Sequence, residues 1–207
     1  MEKQKSYDVG IKASSEGKAV TRRKISTQDM VLCGVFTTLI AVGAFIKVPV
    51  PVVPFTLQFL FTMLAGLLLG GRKGALSVGV YILLGLVGLP VFAEGGGFWY
   101  ILKPSFGYLL GFMLAAYVTG RMVERKKKLL IGWVIAVNFL GLFIVYAAGM
   151  IYYYVICNYV IDTPIAIGPL FLYCFVLAVP GDICLCILAA ILTVRVRPMF
   201  QKMLGAV

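Results

Sequence analysis

Long apolar runs separated by short clusters of charged residues dominate the pattern of this chain. Charged side chains are absent from positions 30–46, 48–71, 74–93, 104–120, 129–161 and 163–194, apart from Asp182 in the last run. A helix needs roughly 20 apolar residues to cross the hydrocarbon core of a bilayer. The pattern therefore predicts an all-α membrane protein with six transmembrane helices.

Prolines and glycines predict where those helices begin and end. Residues 47–54 contain three prolines at spacings that a helix interior does not tolerate, so they form an extended connection before the second span. Pro104 suits the first turn of the fourth span. Pro180-Gly181 breaks the last apolar run, and we expect the sixth span to start at Pro180, which places Asp182 in its first turn.

The distribution of basic residues predicts the topology. The chain has 207 residues, 61% of them hydrophobic, and a net charge of +11. Of its 19 basic residues, all but Lys47 and Lys103 fall at the termini or in alternate connections, which the positive-inside rule assigns to the cytoplasm. We expect an N-in, C-in protein with a polar, disordered cytoplasmic tail (1–28), a membrane domain (29–197) and a C-terminal cytoplasmic tail (198–207).

The chemistry-bearing residues exclude several function classes. The chain contains no histidine, and its Gly70-Gly-Arg-Lys-Gly-Ala segment lacks the spacing of a phosphate-binding loop. The positive charge is explained by topology, so no nucleic-acid partner is needed. We expect no enzyme, no cofactor and no metal site. Uphill transport of a solute would need energy from a partner or an ion gradient.

Polar residues inside the apolar runs are candidates for ligand binding. Asp182 lies in the outer half of the predicted membrane domain, where an ionisable group is costly, although it would also cap its helix. Gln58 and Asn138 need polar partners, which either a neighbouring helix or a ligand supplies. Ser105 opens the fourth span beside the external connections. The glycine and aromatic segment from Glu94 to Tyr100 fits either an interfacial belt or a lid.

Small residues of the first span are candidates for helix docking. Gly34 with Thr38, and Thr37 with Ala41, have the i, i+4 spacing that permits close helix approach in membranes. Packing inside the same bundle and docking to a partner subunit both explain this spacing.

Four segments resemble, in order, the signature segments of the BioY family, the biotin-specific substrate-binding S components of energy-coupling factor (ECF) transporters. They are Val53-Pro-Phe-Thr-Leu-Gln58, Gly88-Leu-Pro-Val-Phe-Ala93, Pro104-Ser-Phe-Gly-Tyr-Leu-Leu-Gly-Phe112 and Pro180-Gly-Asp182. The resemblance covers residues 29–197. It implies the S-component fold, a pocket that opens outward, a multi-pass protein of the bacterial plasma membrane, and biotin uptake.

The resemblance also implies partner subunits, and this sequence departs from the family pattern at two positions. Family members associate through the first helix with a transmembrane coupling subunit, which two ATPase subunits drive. The usual alanine pair of that helix corresponds here to Thr37 and Ala41. A lysine that commonly follows the Pro-Gly-Asp segment is replaced by Leu185. The asparagine of the third external connection has no clear counterpart, since Glu94 or Gly96 occupies that region.

The chemistry of biotin matches the available side chains. Asp182 is a suitable acceptor for the ureido N–H groups, and Asn138 or Gln58 is a candidate donor to the ureido carbonyl. Lys103 with Ser105 is a candidate for holding the carboxylate. The predicted aromatic walls are Phe92, Phe98, Trp99, Tyr108 and Tyr146. An S component for a lipoate- or thiamin-like vitamin, or a membrane scaffold without a ligand, remains an alternative.

Overall fold

A computed structural model describes residues 26–48, 55–126, 128–161, 163–176 and 178–203. Most of the predicted N-terminal tail, the proline-rich segment 49–54 and the last four residues lie outside these ranges. Seven α-helices are present in the described part, together with two strands of two residues each. Their bounds are α1 Thr27–Phe45, β1 Lys47–Val48, β2 Phe55–Thr56, α2 Gln58–Leu69, α3 Gly71–Leu86, α4 Phe106–Glu124, α5 Ile131–Tyr159, α6 Ile167–Phe171 and α7 Val179–Met203.

Helix α1 is fixed to α3 by polar contacts at its N-terminal half. The backbone N–H of Ser26 donates to Asp29 Oδ2 over 3.1 Å, which stabilises the helix start. Lys73 Nζ donates to Asp29 Oδ1 over 2.5 Å, and Thr37 Oγ1 donates to the Ser77 carbonyl over 2.9 Å. These contacts fix which face of α1 points away from the bundle.

The proline-rich segment 49–54, which the sequence predicts to be extended, lies outside the described residues, and the described residues on either side of it form two short strands. Strands β1 and β2 pair in antiparallel register, with Lys47 opposite Thr56. The backbone N–H of Leu57 donates to the Ile46 carbonyl over 3.1 Å. This ribbon places the first residue of α2 beside the end of α1.

Helices α2 and α3 meet at a sharp corner instead of a loop. Gly70 has a φ of 89°, which favours glycine, and α3 starts at the next residue. Glu124 Oε1 accepts the N–H of Gly71 over 3.1 Å, which partners one of the free amides at the α3 start. Arg72 and Lys73, expected in a connection, therefore lie in the first turn of α3.

Helix α2 lies in the centre of the bundle. Ten of its 12 residues are buried, whereas α5 leaves Phe143 and Ile151 more than 60% exposed. Exposed apolar side chains on the outer helices suit a surface covered by lipid. The core of the bundle is formed where α2 packs against its neighbours on all sides.

Four described helices are long and apolar enough to cross a membrane: α1, α4, α5 and residues Val179–Phe200 of α7. Helix α2 is apolar but has only 12 residues, and α3 has 16. At 1.5 Å per residue, α2 extends for about 18 Å, which is short of the hydrocarbon thickness. The helical, multi-span architecture is thus present, but the second and third predicted spans are shorter than expected.

The two long apolar runs near the C-terminus are divided differently from each other. The run at 129–161 contains one continuous helix of 29 residues, Ile131–Tyr159. The following run contains α6, a π-helical turn at Leu172–Val176 and then α7. Helix α7 begins at Val179, one residue before the predicted start, and Asp182 lies in its first turn as predicted.

Candidate functional site

A cavity opens at the end of the bundle where β1, β2 and the connection between α3 and α4 lie. It holds about 700 Å³ of empty volume, including its open mouth. Five of the residues that line it were predicted from the sequence as ligand contacts. They are Gln58, Ser105, Tyr108, Tyr146 and Asp182.

Asp182 forms the acidic centre of the cavity. Its side chain is buried, and Tyr146 Oη donates to Asp182 Oδ2 over 2.5 Å. Helix α7 positions the carboxylate in its first turn, where the partial positive charge of the helix start stabilises it. A carboxylate oxygen can accept more than one hydrogen bond, so Asp182 can accept donors from a ligand in addition to the Tyr146 hydroxyl.

Aromatic rings fix the position of Tyr146. The Tyr108 ring meets it edge to face with centroids 6.0 Å apart, and the Phe175 ring does so at 5.4 Å. Edge-to-face contacts of this kind favour one ring orientation. The hydroxyl that contacts Asp182 is consequently held in place by its neighbours from α4 and the π-helical turn.

Gln58 brings a second polar group to the cavity wall. It is the first residue of α2, is only 3% exposed, and lies near the Tyr81 phenol, but its Nε2 forms no hydrogen bond of normal geometry within the described part of the chain. An unpaired amide donor in a buried position costs free energy unless a further group satisfies it. A ligand carbonyl in the cavity is a suitable acceptor for this donor.

The connection between α3 and α4 forms the rim of the cavity. Gly95 and Gly97 adopt φ near 109°, and the N–H of Gly97 donates to the Gly85 carbonyl over 2.7 Å. A 3₁₀ helix, Phe98–Leu102, follows and contributes Tyr100 to the wall. Burial raises the pKa of the Tyr100 phenol, so it stays protonated at neutral pH.

Two lysines contact the rim from outside. Lys47 Nζ donates to the Ala93 carbonyl over 2.9 Å. Lys103 Nζ donates to the Glu94 carbonyl over 3.2 Å and to Glu94 Oε2 over 3.1 Å. Glu94 itself lines the cavity, whereas Lys103 does not.

The remaining predicted ligand contacts lie outside the cavity wall. Asn138 Nδ2 donates to the Cys186 carbonyl over 2.8 Å, so this amide connects α5 to α7. Phe92 is 1% exposed and packs behind Tyr100 with ring centroids 4.4 Å apart. Phe98 and Trp99 are 70% and 79% exposed, which suits contact with the membrane interface rather than a closed cavity.

Several wall residues were not identified from the sequence. One signal was available, because Ser105, Tyr108, Leu109 and Phe112 recur at the three- and four-residue spacing of a single helix face. The remaining wall residues come from five other segments and carry no comparable pattern. They are Thr56, Phe59, Ala93, Glu94, Tyr100, Val145 and Ala178.

The predicted docking residues of α1 divide between two faces. Thr37 is buried and bonded to Ser77, so it faces the bundle. Gly34 and Thr38 are exposed, and a Cβ added at Gly34 would have no atom within 4 Å. Ala41 is partly buried. The accessible small-residue face therefore consists of Gly34 and Thr38 with the edge of Ala41.

The polar groups of the cavity determine which kind of ligand it suits. No group of three or more His, Cys, Asp or Glu side chains able to hold one occurs within the described ranges. The polar groups of the cavity are carboxyl, amide and hydroxyl groups surrounded by aromatic rings. This composition suits binding of a small, partly apolar organic ligand.

Comparisons with known proteins agree on one family. A model of the BioY family matches residues 16–202. The probable biotin transporter BioY of Lysinibacillus sphaericus is 48% identical over 177 residues, covering 86% of this chain and 90% of that protein. The biotin transporter BioY of Thermotoga maritima is 39% identical over 173 residues, covering 82% and 96%.

A solved structure has the same fold. It is a crystal structure at 2.1 Å of the S-component for biotin from an ECF-type ABC transporter. The two chains align with a TM-score of 0.69 and 27% sequence identity, covering 83% of this chain and 91% of that one.

Proposed function

The chain belongs to the BioY family, and from this premise we propose that it captures biotin for uptake as the S component of an ECF transporter. The observation that carries the proposal is the buried pair of Asp182 and Tyr146 in a cavity lined mainly by aromatic and apolar side chains. Biotin combines a polar ureido ring with an apolar thiophane ring and valeryl chain. The cavity offers complementary groups for each part.

In the proposed complex, Asp182 accepts the ureido N–H groups and Gln58 Nε2 donates to the ureido carbonyl. Both side chains are buried, and Gln58 Nε2 forms no hydrogen bond of normal geometry in the described structure. Hydrogen bonds to a charged group contribute about 1.5 to 3 kcal/mol each, and neutral ones about 1 kcal/mol. These two residues therefore account for selective binding of the ureido ring.

The apolar part of biotin is proposed to lie between α2, α4 and α5. Phe59 and Phe112 form a ring pair with centroids 6.4 Å apart, and Tyr108 and Val145 continue the wall. Burial of ligand CH₂ groups against such a wall contributes about 0.8 kcal/mol each. Ser105, at the start of α4, lines the cavity next to Tyr100 and is proposed to contact the valeryl end.

The proposed orientation places the cavity outside the cell and both termini in the cytoplasm. Basic residues lie near the start of α3 and near the ends of α4 and α7, which supports this orientation. Two contacts bring these helix ends together: Glu124 accepts the N–H of Gly71, and Arg197 Nη2 donates to the Val123 carbonyl over 3.0 Å. These contacts gather positive charge at the end opposite the cavity, as the positive-inside rule requires. The proposal includes six spans within residues 29–197 of a multi-pass protein in the bacterial plasma membrane, with α2 and α3 as short spans.

The proposed energy source is a partner complex with a transmembrane coupling subunit and two ATPase subunits. The exposed face of Gly34 and Thr38 on α1 is the proposed docking surface, with Ala41 at its edge. Small residues permit close approach of a partner helix within the membrane. Thr37 supports this surface indirectly. Its hydrogen bond to the Ser77 carbonyl fixes the rotation of α1 about its own axis, which keeps Gly34 and Thr38 on the outer face.

The experiment that tests the proposal is a calorimetric titration of the purified protein with biotin, lipoate and thiamin in parallel. We expect one tight site for biotin and at least about 100-fold weaker binding of the other two, because neither has a ureido ring for Asp182 and Gln58. Preference for lipoate or thiamin would support an S component for another vitamin. Binding of none of the three would favour a scaffold without a ligand.

A further inference from the structure

Two lysines and one glutamate set the charge at the mouth of the cavity in the described part of the chain. Lys103 Nζ lies 3.1 Å from Glu94 Oε2, so these two charges neutralise each other. Lys47 Nζ donates to the Ala93 carbonyl over 2.9 Å and forms no salt bridge with a carboxylate of the described residues. Among these groups, the uncompensated charge at the mouth is therefore positive and belongs to Lys47.

The ribbon of β1 and β2 directs the Lys47 side chain towards the cavity. Lys47 pairs with Thr56 in antiparallel register, and the side chains of directly opposite residues lie on the same face of such a ribbon. Thr56 lines the cavity, and so does Ala93, whose carbonyl oxygen accepts the hydrogen bond from Lys47 Nζ. The ammonium group therefore lies at the edge of the cavity, beside wall residues from two different segments.

The ammonium group at this edge keeps donors for a ligand. It has three N–H donors, and the Ala93 carbonyl accepts one of them. Lys47 is exposed, so a ligand that reaches the mouth can approach the other two. A carboxylate gains most from such donors, because an ionised acceptor forms charge-assisted hydrogen bonds with an ammonium group.

The groups proposed to bind the ureido ring lie deeper than Lys47. Asp182 is 7% exposed and Gln58 is 3% exposed, whereas Lys47 is an exposed residue. Gln58 follows Thr56 by two positions, and both line the cavity, so this wall leads from the ureido site to the ribbon that carries Lys47. A ligand whose ureido ring is bound at Asp182 and Gln58 consequently extends its valeryl chain towards the mouth.

We propose that Lys47 binds the carboxylate of biotin at the mouth of the cavity. This inference rests on the proposed function and identifies the cation that recognises the charged end of the ligand. Lys103, which the sequence predicted for this role, is already paired with Glu94. The contribution of Lys47 is modest, because the residue is exposed and water screens exposed charge pairs.

The test compares biotin with its primary amide by calorimetric titration of the purified full-length protein and of Lys47→Gln. The amide keeps the ureido ring and the chain but lacks the negative charge. We expect Lys47→Gln to lower the ratio of acid affinity to amide affinity about three- to fivefold, the magnitude of an exposed charge pair. A change in the shape of the rim would affect both ligands and leave the ratio as it was. An unchanged ratio overturns the proposal.

Two further variants assign the effect to the charge of Lys47. Lys47→Arg keeps the positive charge, and we expect its ratio to stay within about 1.5-fold of that of the parent. The same fall in Lys47→Arg as in Lys47→Gln would overturn the proposal. The double variant Glu94→Gln, Lys103→Gln removes the pair as a neutral unit, so we expect it to retain the preference for the acid.

The outcomes separate this inference from the proposed function. If the ratio falls in the double variant and not in Lys47→Gln, Lys103 binds the carboxylate and the proposal is overturned. If the parent binds biotin and Lys47→Gln leaves the ratio unchanged, this inference alone fails. If the parent does not bind biotin, the proposed function fails.

Discussion

The same helices are packed closely at one end of the bundle and are separated by a cavity at the other end. At the end opposite the cavity, α2, α3 and α4 approach backbone to backbone, and a Cβ added at Gly66 would lie 2.6 Å from the Ala116 carbonyl oxygen. At the cavity end, aromatic side chains such as Phe59 and Phe112 hold α2 and α4 apart. We infer that the close glycine contacts hold the helices in position at one end, so that the other end can keep a cavity open for a ligand.

The strictest test of the closed half is Gly66→Leu. The new side chain would clash with the α4 backbone, which cannot move like a flexible side chain, so we expect a loss of at least about 3 kcal/mol and little folded protein. Size-exclusion chromatography and thermal unfolding in detergent measure this. Gly34→Leu is the matched control, because Gly34 faces open space and this variant should fold like the parent. A stable, monodisperse Gly66→Leu protein would contradict the description of this half.

Gly34→Leu also tests the outer surface of α1. We expect biotin uptake by cells that contain the whole transporter to fall at least about tenfold, because a bulky side chain prevents close helix contact, while the isolated variant binds biotin normally. Gly132→Leu carries the same change on α5, where a Cβ also meets no atom within 4 Å, and should transport normally. Equal uptake by the two variants would show that the α1 face is not the docking surface.

Gln58→Leu sharpens the description of the open half. The variant removes a buried amide whose Nε2 forms no hydrogen bond of normal geometry in the described structure, so we expect the stability of the unliganded protein to stay equal or rise. Biotin affinity should fall about three- to tenfold, because the donor to the ureido carbonyl is lost. Thermal unfolding and calorimetry measure the two effects. A variant that loses stability and keeps its affinity would mean that Gln58 stabilises the helix bundle and does not bind the ligand.

Asn138→Ala is expected to give the reverse result. Asn138 is fully buried and donates to Cys186, so its loss should lower stability by about 1 to 3 kcal/mol. The affinity for biotin should stay within about twofold, since Asn138 does not line the cavity. A much larger loss of affinity at unchanged stability would make Asn138 a ligand donor and remove the division between the two halves.

The sequence predicted those features that depend on local chain properties. Proline and glycine at 180 and 181 located the start of the last long helix to within one residue, because neither residue suits a helix interior. The same break placed Asp182 in the first turn. The three prolines at 49–54 indicated an extended connection, which stays a prediction because these residues lie outside the described ranges.

Features that depend on contacts between distant residues were not predictable in the same way. A buried asparagine satisfies its amide equally well with a ligand or with a neighbouring helix, and Asn138 is bonded to a residue 48 positions away. Phe98 and Trp99 are exposed although Tyr100, the next residue, lines the cavity. Composition alone does not reveal which side of a short 3₁₀ helix faces inward.

The most direct test of the central claim is a calorimetric titration of Asp182→Asn with biotin, alongside the parent protein. This change keeps the shape of the side chain and one acceptor oxygen but removes the charge that accepts the ureido N–H groups. We expect the Kd to rise at least about tenfold while the variant elutes as a single folded species. An unchanged Kd would show that Asp182 only caps α7, and would contradict the assignment of the cavity's carboxylate to ureido recognition.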